Sequence, residues 1–94
     1  MDLGLTGKVA LVSGSTAGIG YAIAEQLVRE GARVIVNGRT AKAVDEVIAK
    51  LNGIAAGSAL PFAADLSTAA AANDVARQYP DVDIVVNNLG IFEP

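Results

Sequence analysis

Three glycines constrain this chain more than any other feature: Gly14, Gly18 and Gly20, spaced G-x-x-x-G-x-G. Before them stands Val9-Ala10-Leu11-Val12, a short continuous apolar run that suits a strand buried on both faces. After them Ile19, Ile23 and Leu27 recur every four positions, with Ala22, Ala24 and Val28 beside them. That recurrence predicts an amphipathic helix, ended by Gly31. Strand, glycine turn and helix in this order are the setting of a pyrophosphate-binding turn. Gly14 would let the chain leave the strand sharply, Gly18 would leave space for a phosphate, and Gly20 would let helix and sheet pack closely. The free N–H groups and positive end of the helix would face the anion, with Ser15 and Thr16 as hydroxyl donors.

The rest of the chain repeats the alternation. Arg33 to Asn37 reads as a second strand, and Thr40 to Leu51 as a second helix, capped by Thr40 and stopped by Asn52-Gly53. Ala59 to Ala64 is a third strand, which Pro61 places at a sheet edge or starts late. A third helix is expected from Ser67, as N-cap, to Tyr79, with Ala72, Val75, Ala76 and Tyr79 as its apolar stripe. Val82 to Val86 is a fourth strand. The order βαβαβαβ implies parallel strands with right-handed crossovers. The expected fold is α/β, a Rossmann-type doubly wound parallel sheet with strand order 3-2-1-4. The complete form of that fold has six strands, so an incomplete portion is expected here, with strand 4 left as an apolar edge. Residues 1–94 are accordingly read as the N-terminal, NAD(P)-binding unit of a larger protein.

Composition narrows the chemistry. The chain has no cysteine and no histidine, which removes thiolate chemistry, the commonest general base and the commonest zinc ligands; no metal site is expected. A net charge of −3 without a basic cluster argues against a nucleic-acid partner. No apolar run approaches the roughly 20 residues that span a bilayer, and Asp2 stands where a signal peptide would want positive charge. The expectation is a cytoplasmic protein without a membrane partner.

Taken together, these motifs resemble the short-chain dehydrogenase/reductase family. Ser13 to Gly20 matches that family's T-G-x-x-x-G-x-G with Ser13 in place of Thr, and Asn87-Asn88-Leu89-Gly90 matches its N-N-A-G with Leu89 in place of Ala. Asp65-Leu66 stands where the family places an Asp after the third strand. The resemblance implies that Gly14, Ser15, Thr16, Gly18, Ile19 and Gly20 meet the cofactor, and that the Asp65 carboxylate and Leu66 backbone frame its adenine. It also implies that Asn87, Leu89 and Gly90 line a ribose. Asp65 has a second reading, support of a helix N-terminus. Asn87 has one too, a bridge between strands 4 and 1.

The end of the second strand indicates which dinucleotide. NAD-binding units hold the ribose 2′-hydroxyl with an acidic residue about 20 positions past the glycines. Here that position is Gly38, within Asn37-Gly38-Arg39. A guanidinium pairs with a 2′-phosphate, which favours NADP over NAD; otherwise Arg39 is an ordinary solvated arginine. NADP-dependent members of the family often carry a basic residue just before the second glycine. Ala17 is there instead, so Arg39 would act with Asn37, Thr40 and backbone donors.

The family's catalytic Tyr-x-x-x-Lys is not found: Tyr21 is followed by Glu25 and Tyr79 by Asp83. No catalytic residue is therefore assigned within these residues. The resemblance implies an NADP-dependent oxidoreductase acting on a small carbonyl or alcohol substrate, a homo-oligomer when full length, of which this chain is the cofactor-binding half. The alternatives are a non-catalytic dinucleotide-binding or regulatory protein on the same fold, and an S-adenosylmethionine site. Arg39 and the Asn87 to Gly90 segment argue against the last.

Overall fold

A computed structural model describes residues 4–88. Four strands and three helices alternate: β1 (Val9–Val12), α1 (Gly18–Arg29), β2 (Arg33–Gly38), α2 (Ala41–Ile54), β3 (Ala59–Ala63), α3 (Ala69–Gln78) and β4 (Ile84–Val86). The strands form one parallel sheet, as the alternation predicts, in the order β3-β2-β1-β4 expected of a doubly wound dinucleotide unit. In register, Leu11 lies between Ile35 and Val85, so the glycine turn leaves the sheet from a central strand flanked by β2 and β4. Pro61 sits on β3, at the edge, where its missing N–H breaks no ladder. No helix among the described residues is long and apolar enough to cross a membrane.

Side chains alternate across the sheet and build a core on each face. Val12, Val34 and Val36 pack with Ala24 and Val28 of α1 and with Val44, Val47 and Leu51 of α2. Leu11, Ile35 and Phe62 point the other way and meet Val75 of α3. Burying a Val, Leu, Ile or Phe side chain contributes about 1.5–3 kcal/mol, which is why the continuous apolar runs become the two central strands. On the α3 face the sheet is open beyond that helix. A groove of about 440 Å³ lies between Leu11, Val75, Tyr79, Val82 and Val85, and Val85 is 66% exposed.

One helix face and three boundaries differ from expectation. In α1 the buried line is Gly20, Ala24 and Val28, with Ile23 and Leu27 half-buried, so Ile19 and Ala22 face solvent. Asn52-Gly53 does not stop α2, which runs to Ile54: Asn52 Oδ1 accepts from Ala59 N–H (3.1 Å) and Ser58 Oγ donates to the Leu51 carbonyl. The asparagine thus ties the helix end to β3 instead of turning the chain. Thr68, not Ser67, caps α3, because Ser67 is committed to Asp65; Ala72 and Ala76 are exposed, leaving Ala71 and Val75 as the buried line. Regular pairing in β4 begins at Ile84, because the Asp83 carboxylate accepts the Val9 N–H (2.9 Å) where a ladder carbonyl would.

Candidate functional site

The glycine turn takes its shape from two residues in the left-handed region: Gly14 and Gly18 both have φ of 60°. Side chains there would be strained. Beyond Gly18 there is open space, as a phosphate approach requires. Gly20 answers a different demand from the expected one. A Cβ on it would collide with the Gly14 carbonyl oxygen and lie 2.8 Å from Asn88 Nδ2, so the helix packs on the turn itself more closely than on the sheet.

The N-terminus of α1 has no side-chain cap: Ala17 occupies the cap position, and the first turn carries no acidic residue. The other two described helices are capped by threonine hydroxyls, Thr40 to Ala43 N–H and Thr68 to Ala71 N–H. The first amides of α1 and the positive end of its dipole are thus available to an anion.

Two residues expected to donate to phosphate are committed elsewhere. Ser15 is fully buried; its Oγ accepts from Asn37 N–H (2.9 Å) and donates to the Asn37 carbonyl. Asn37 is 2% exposed. Its Oδ1 accepts from Gly14 N–H (2.9 Å), and its Nδ2 donates to the carbonyls of Phe62 (3.1 Å) and Ala64 (3.0 Å). With both amide hydrogens used, Asn37 has no donor left to give Arg39's ligand. It holds the turn, β2 and β3 together instead.

Those three elements enclose a cleft of about 320 Å³, lined by Gly14, Thr16, Asn37, Gly38, Arg39, Thr40, Ala43, Ala64, Asp65 and Leu66. Of the expected cofactor contacts it gathers Gly14, Thr16, Asn37, Arg39, Asp65 and Leu66 around one space. Gly38, Ala43 and Ala64 had no expected role in contact; as small residues they carry no signal except the absence of bulk. Arg39 and Asp65 are not paired within 4.0 Å, but the guanidinium lies near enough to bias the carboxylate.

The Asp65 pKa is held below its ordinary 3.8, first by the Ser67 hydroxyl (2.6 Å), then by the Ser67 N–H (3.0 Å), with attraction from Arg39 added. Asp65 is therefore an ionised acceptor at neutral pH. A depressed folded-state pKa contributes stability that is present above the unfolded value and lost as pH falls through the folded one. Ser67→Ala is expected to raise the Asp65 pKa toward 3.8, read from its side-chain carboxyl carbon in an NMR pH titration. An unmoved pKa would remove Ser67 as the cause.

Asn87 and Asn88 divide the bridging role. Ser13 Oγ lies 3.5 Å from Asn87 Oδ1, while Asn88 donates its N–H to Ser13 Oγ (2.8 Å) and its Nδ2 to the Gly14 carbonyl (3.2 Å). Asn88, which sequence reasoning passed over, is the residue that ties the end of β4 to the glycine turn; its signal was the doubled asparagine. Asn87 lines the apolar groove rather than the cleft. Ile19 is 66% exposed on the first turn of α1. Leu89 and Gly90 lie outside the described residues. The two tyrosines are structural: Tyr79 Oη donates to the Pro61 carbonyl (2.7 Å), and Tyr21 packs on the core beneath Lys50 Nζ, 5.8 Å from its ring centroid.

Comparison with known proteins places this geometry. A family model described as short chain dehydrogenase matches residues 8–94. The chain is 54% identical over 95 residues to the uncharacterized oxidoreductase YvaG of Bacillus subtilis (strain 168), an alignment covering 100% of this chain and 36% of that protein. It is 43% identical over 95 residues to the 3-oxoacyl-acyl-carrier-protein reductase FabG of Aquifex aeolicus (strain VF5), covering 97% of this chain and 38% of that protein. Among solved structures, L-sorbose reductase from Gluconobacter frateurii, complexed with NADPH and L-sorbose, superposes with a TM-score of 0.84 at 35% identity. That superposition covers 99% of this chain and 37% of the reductase. The chain thus spans a little over a third of the length of these relatives.

Proposed function

The chain belongs to the short-chain dehydrogenase family, and on that premise we propose that it is the dinucleotide-holding unit of an NADP-dependent oxidoreductase. One observation carries the reading: the exposed Arg39 lines a cleft whose β2 end, Gly38, has no side chain, together with Thr16 of the glycine turn and Asp65. An NAD unit would have a carboxylate at that strand end, which would repel a 2′-phosphate; a guanidinium attracts one. The relatives support the same direction, since the L-sorbose reductase was solved with NADPH.

The residues present fit such a cofactor. Gly14, Gly18 and the first amides of α1 would hold the pyrophosphate, with Ile19 and Gly20 forming the wall of that turn. Thr16 and Arg39 would hold the 2′-phosphate. Asp65 would accept from the adenine amino group, with Leu66 beside the base. Asn87, Leu89 and Gly90 would border the nicotinamide-side ribose. When bound, the nicotinamide supplies or accepts hydride. Residues 1–94 bind and orient; the groups that move a proton on a carbonyl or alcohol substrate are assigned to the rest of the protein, where a Tyr-x-x-x-Lys pair is expected. A homo-oligomer in the cytoplasm, acting on a small molecule, completes the proposal.

Titration of the natural full-length protein with NADPH and NADH, followed by nicotinamide fluorescence, tests it. NADPH is expected to bind at least about tenfold tighter, a difference of roughly 1.4 kcal/mol. Equal affinities overturn the NADP assignment, and no binding of either overturns the whole reading. Binding without turnover across a panel of carbonyls and alcohols supports the non-catalytic alternative.

A further inference from the structure

We propose that Thr16 determines the cofactor preference by keeping residue 38 free of a side chain, an inference that rests on the nucleotide reading above. Gly38 ends β2 and lies outside the left-handed region, so its backbone does not demand glycine. Space does. A Cβ there would lie 2.5 Å from Thr16 Cγ2, 3.2 Å from Thr16 Oγ1 and 3.2 Å from Val44 Cγ2. Both heavy substituents on the Thr16 Cβ therefore face Gly38. Staggered rotation about χ1 offers three positions, of which two face residue 38. Two heavy atoms cannot both occupy the third, so every rotamer of threonine leaves a heavy atom at the 2.5 Å or the 3.2 Å position, closer than an ordinary van der Waals contact.

Nor can the backbones part easily. Ser15 N–H donates to the Asn37 carbonyl (2.8 Å), Asn37 N–H donates to Ser15 Oγ (2.9 Å), and Gly14 N–H donates to Asn37 Oδ1 (2.9 Å). These bonds stitch the glycine turn to the end of β2 immediately before Thr16 and Gly38. On the other side Val44 is held in the core at 1% exposure. An acid at position 38, the usual hold on an unphosphorylated ribose, needs a Cβ first. Thr16 excludes it without touching it. Serine would not: with a single heavy substituent, its hydroxyl can turn to the third position.

The test is a cycle of variants in the natural full-length protein: Thr16→Ser, Gly38→Asp and the double variant, each titrated with NADPH and NADH and checked for folding by thermal melting. Gly38→Asp alone is expected to lose NADPH without gaining NADH. Added to Thr16→Ser, the same change is expected to raise NADH affinity at least about tenfold. An equal NADH response in both backgrounds overturns the proposal. If Gly38→Asp does not fold, Gly38→Ala asks the same steric question. It should weaken NADPH by roughly tenfold beside threonine and little beside serine, and equal losses in both backgrounds overturn the proposal. The unsubstituted protein separates the two readings: binding of neither nucleotide defeats the cofactor assignment, whereas NADPH binding with additive variants defeats only the role of Thr16.

Discussion

Arg39→Asp is expected to weaken NADPH binding by roughly a hundredfold and to leave NADH within a few-fold of its original affinity. Hydrogen bonds to a charged group contribute about 1.5–3 kcal/mol, and a hundredfold corresponds to about 2.7 kcal/mol. The substitution removes an attraction and introduces a repulsion at the same place. Arg39 is exposed and forms no ion pair within 4.0 Å among the described residues, so the fold loses little with it. The difference should shrink as ionic strength rises, because an exposed charge is screened over about 10 Å at 0.1 M salt. Fluorescence titration of both nucleotides at two salt concentrations reads all three expectations. Equal losses for NADPH and NADH would place Arg39 outside the 2′ position.

Asn37→Ala is expected to destabilise the protein by about 3 kcal/mol, at the upper end of the usual range for one substitution. It would strand the Gly14 N–H and the Ala64 carbonyl and take one of two donors from the Phe62 carbonyl, which the parallel ladder also pairs with the Gly38 N–H. Each stranded group costs about 1–3 kcal/mol, with part-buried groups toward the lower end. Urea denaturation of the full-length protein measures the loss. A change under about 1 kcal/mol would mean that water replaces the amide and that Asn37 is not the strut described here. Among the described residues no buried side-chain polar atom lacks a partner, so the amide has no spare neighbour to substitute for it.

Asn37 also shows why part of the site was hidden. From the sequence it sits beside Arg39 at a strand end, and a polar amide next to a guanidinium invites a ligand. Its partners lie 23, 25 and 27 residues away along the chain. Ser15 is the same case, bonded to a residue 22 positions on. Nothing local distinguishes a donor aimed at a phosphate from one aimed at a neighbouring strand. Ile19 failed for a related reason: its four-residue spacing was sound, but helical spacing fixes a face only to within about one position, and Gly20 took the inward one. At Asn52-Gly53 the usual stop signal was outweighed by a bond to Ala59.

What the sequence determined by itself is the frame. Continuous apolar runs and helical stripes set the alternation and with it parallel strands, the glycine motif pointed to the dinucleotide-fold strand order, and its spacing set where a phosphate could approach. Each of these depends on local periodicity or on backbone freedom, which adjacent residues carry. Tertiary structure alone decided which polar groups face the cleft and which are consumed in holding it. It alone revealed that Thr16 leaves no space for a side chain at Gly38. Both are matters of distance between segments that meet only after the sheet has formed, so no spacing along the chain encodes them directly.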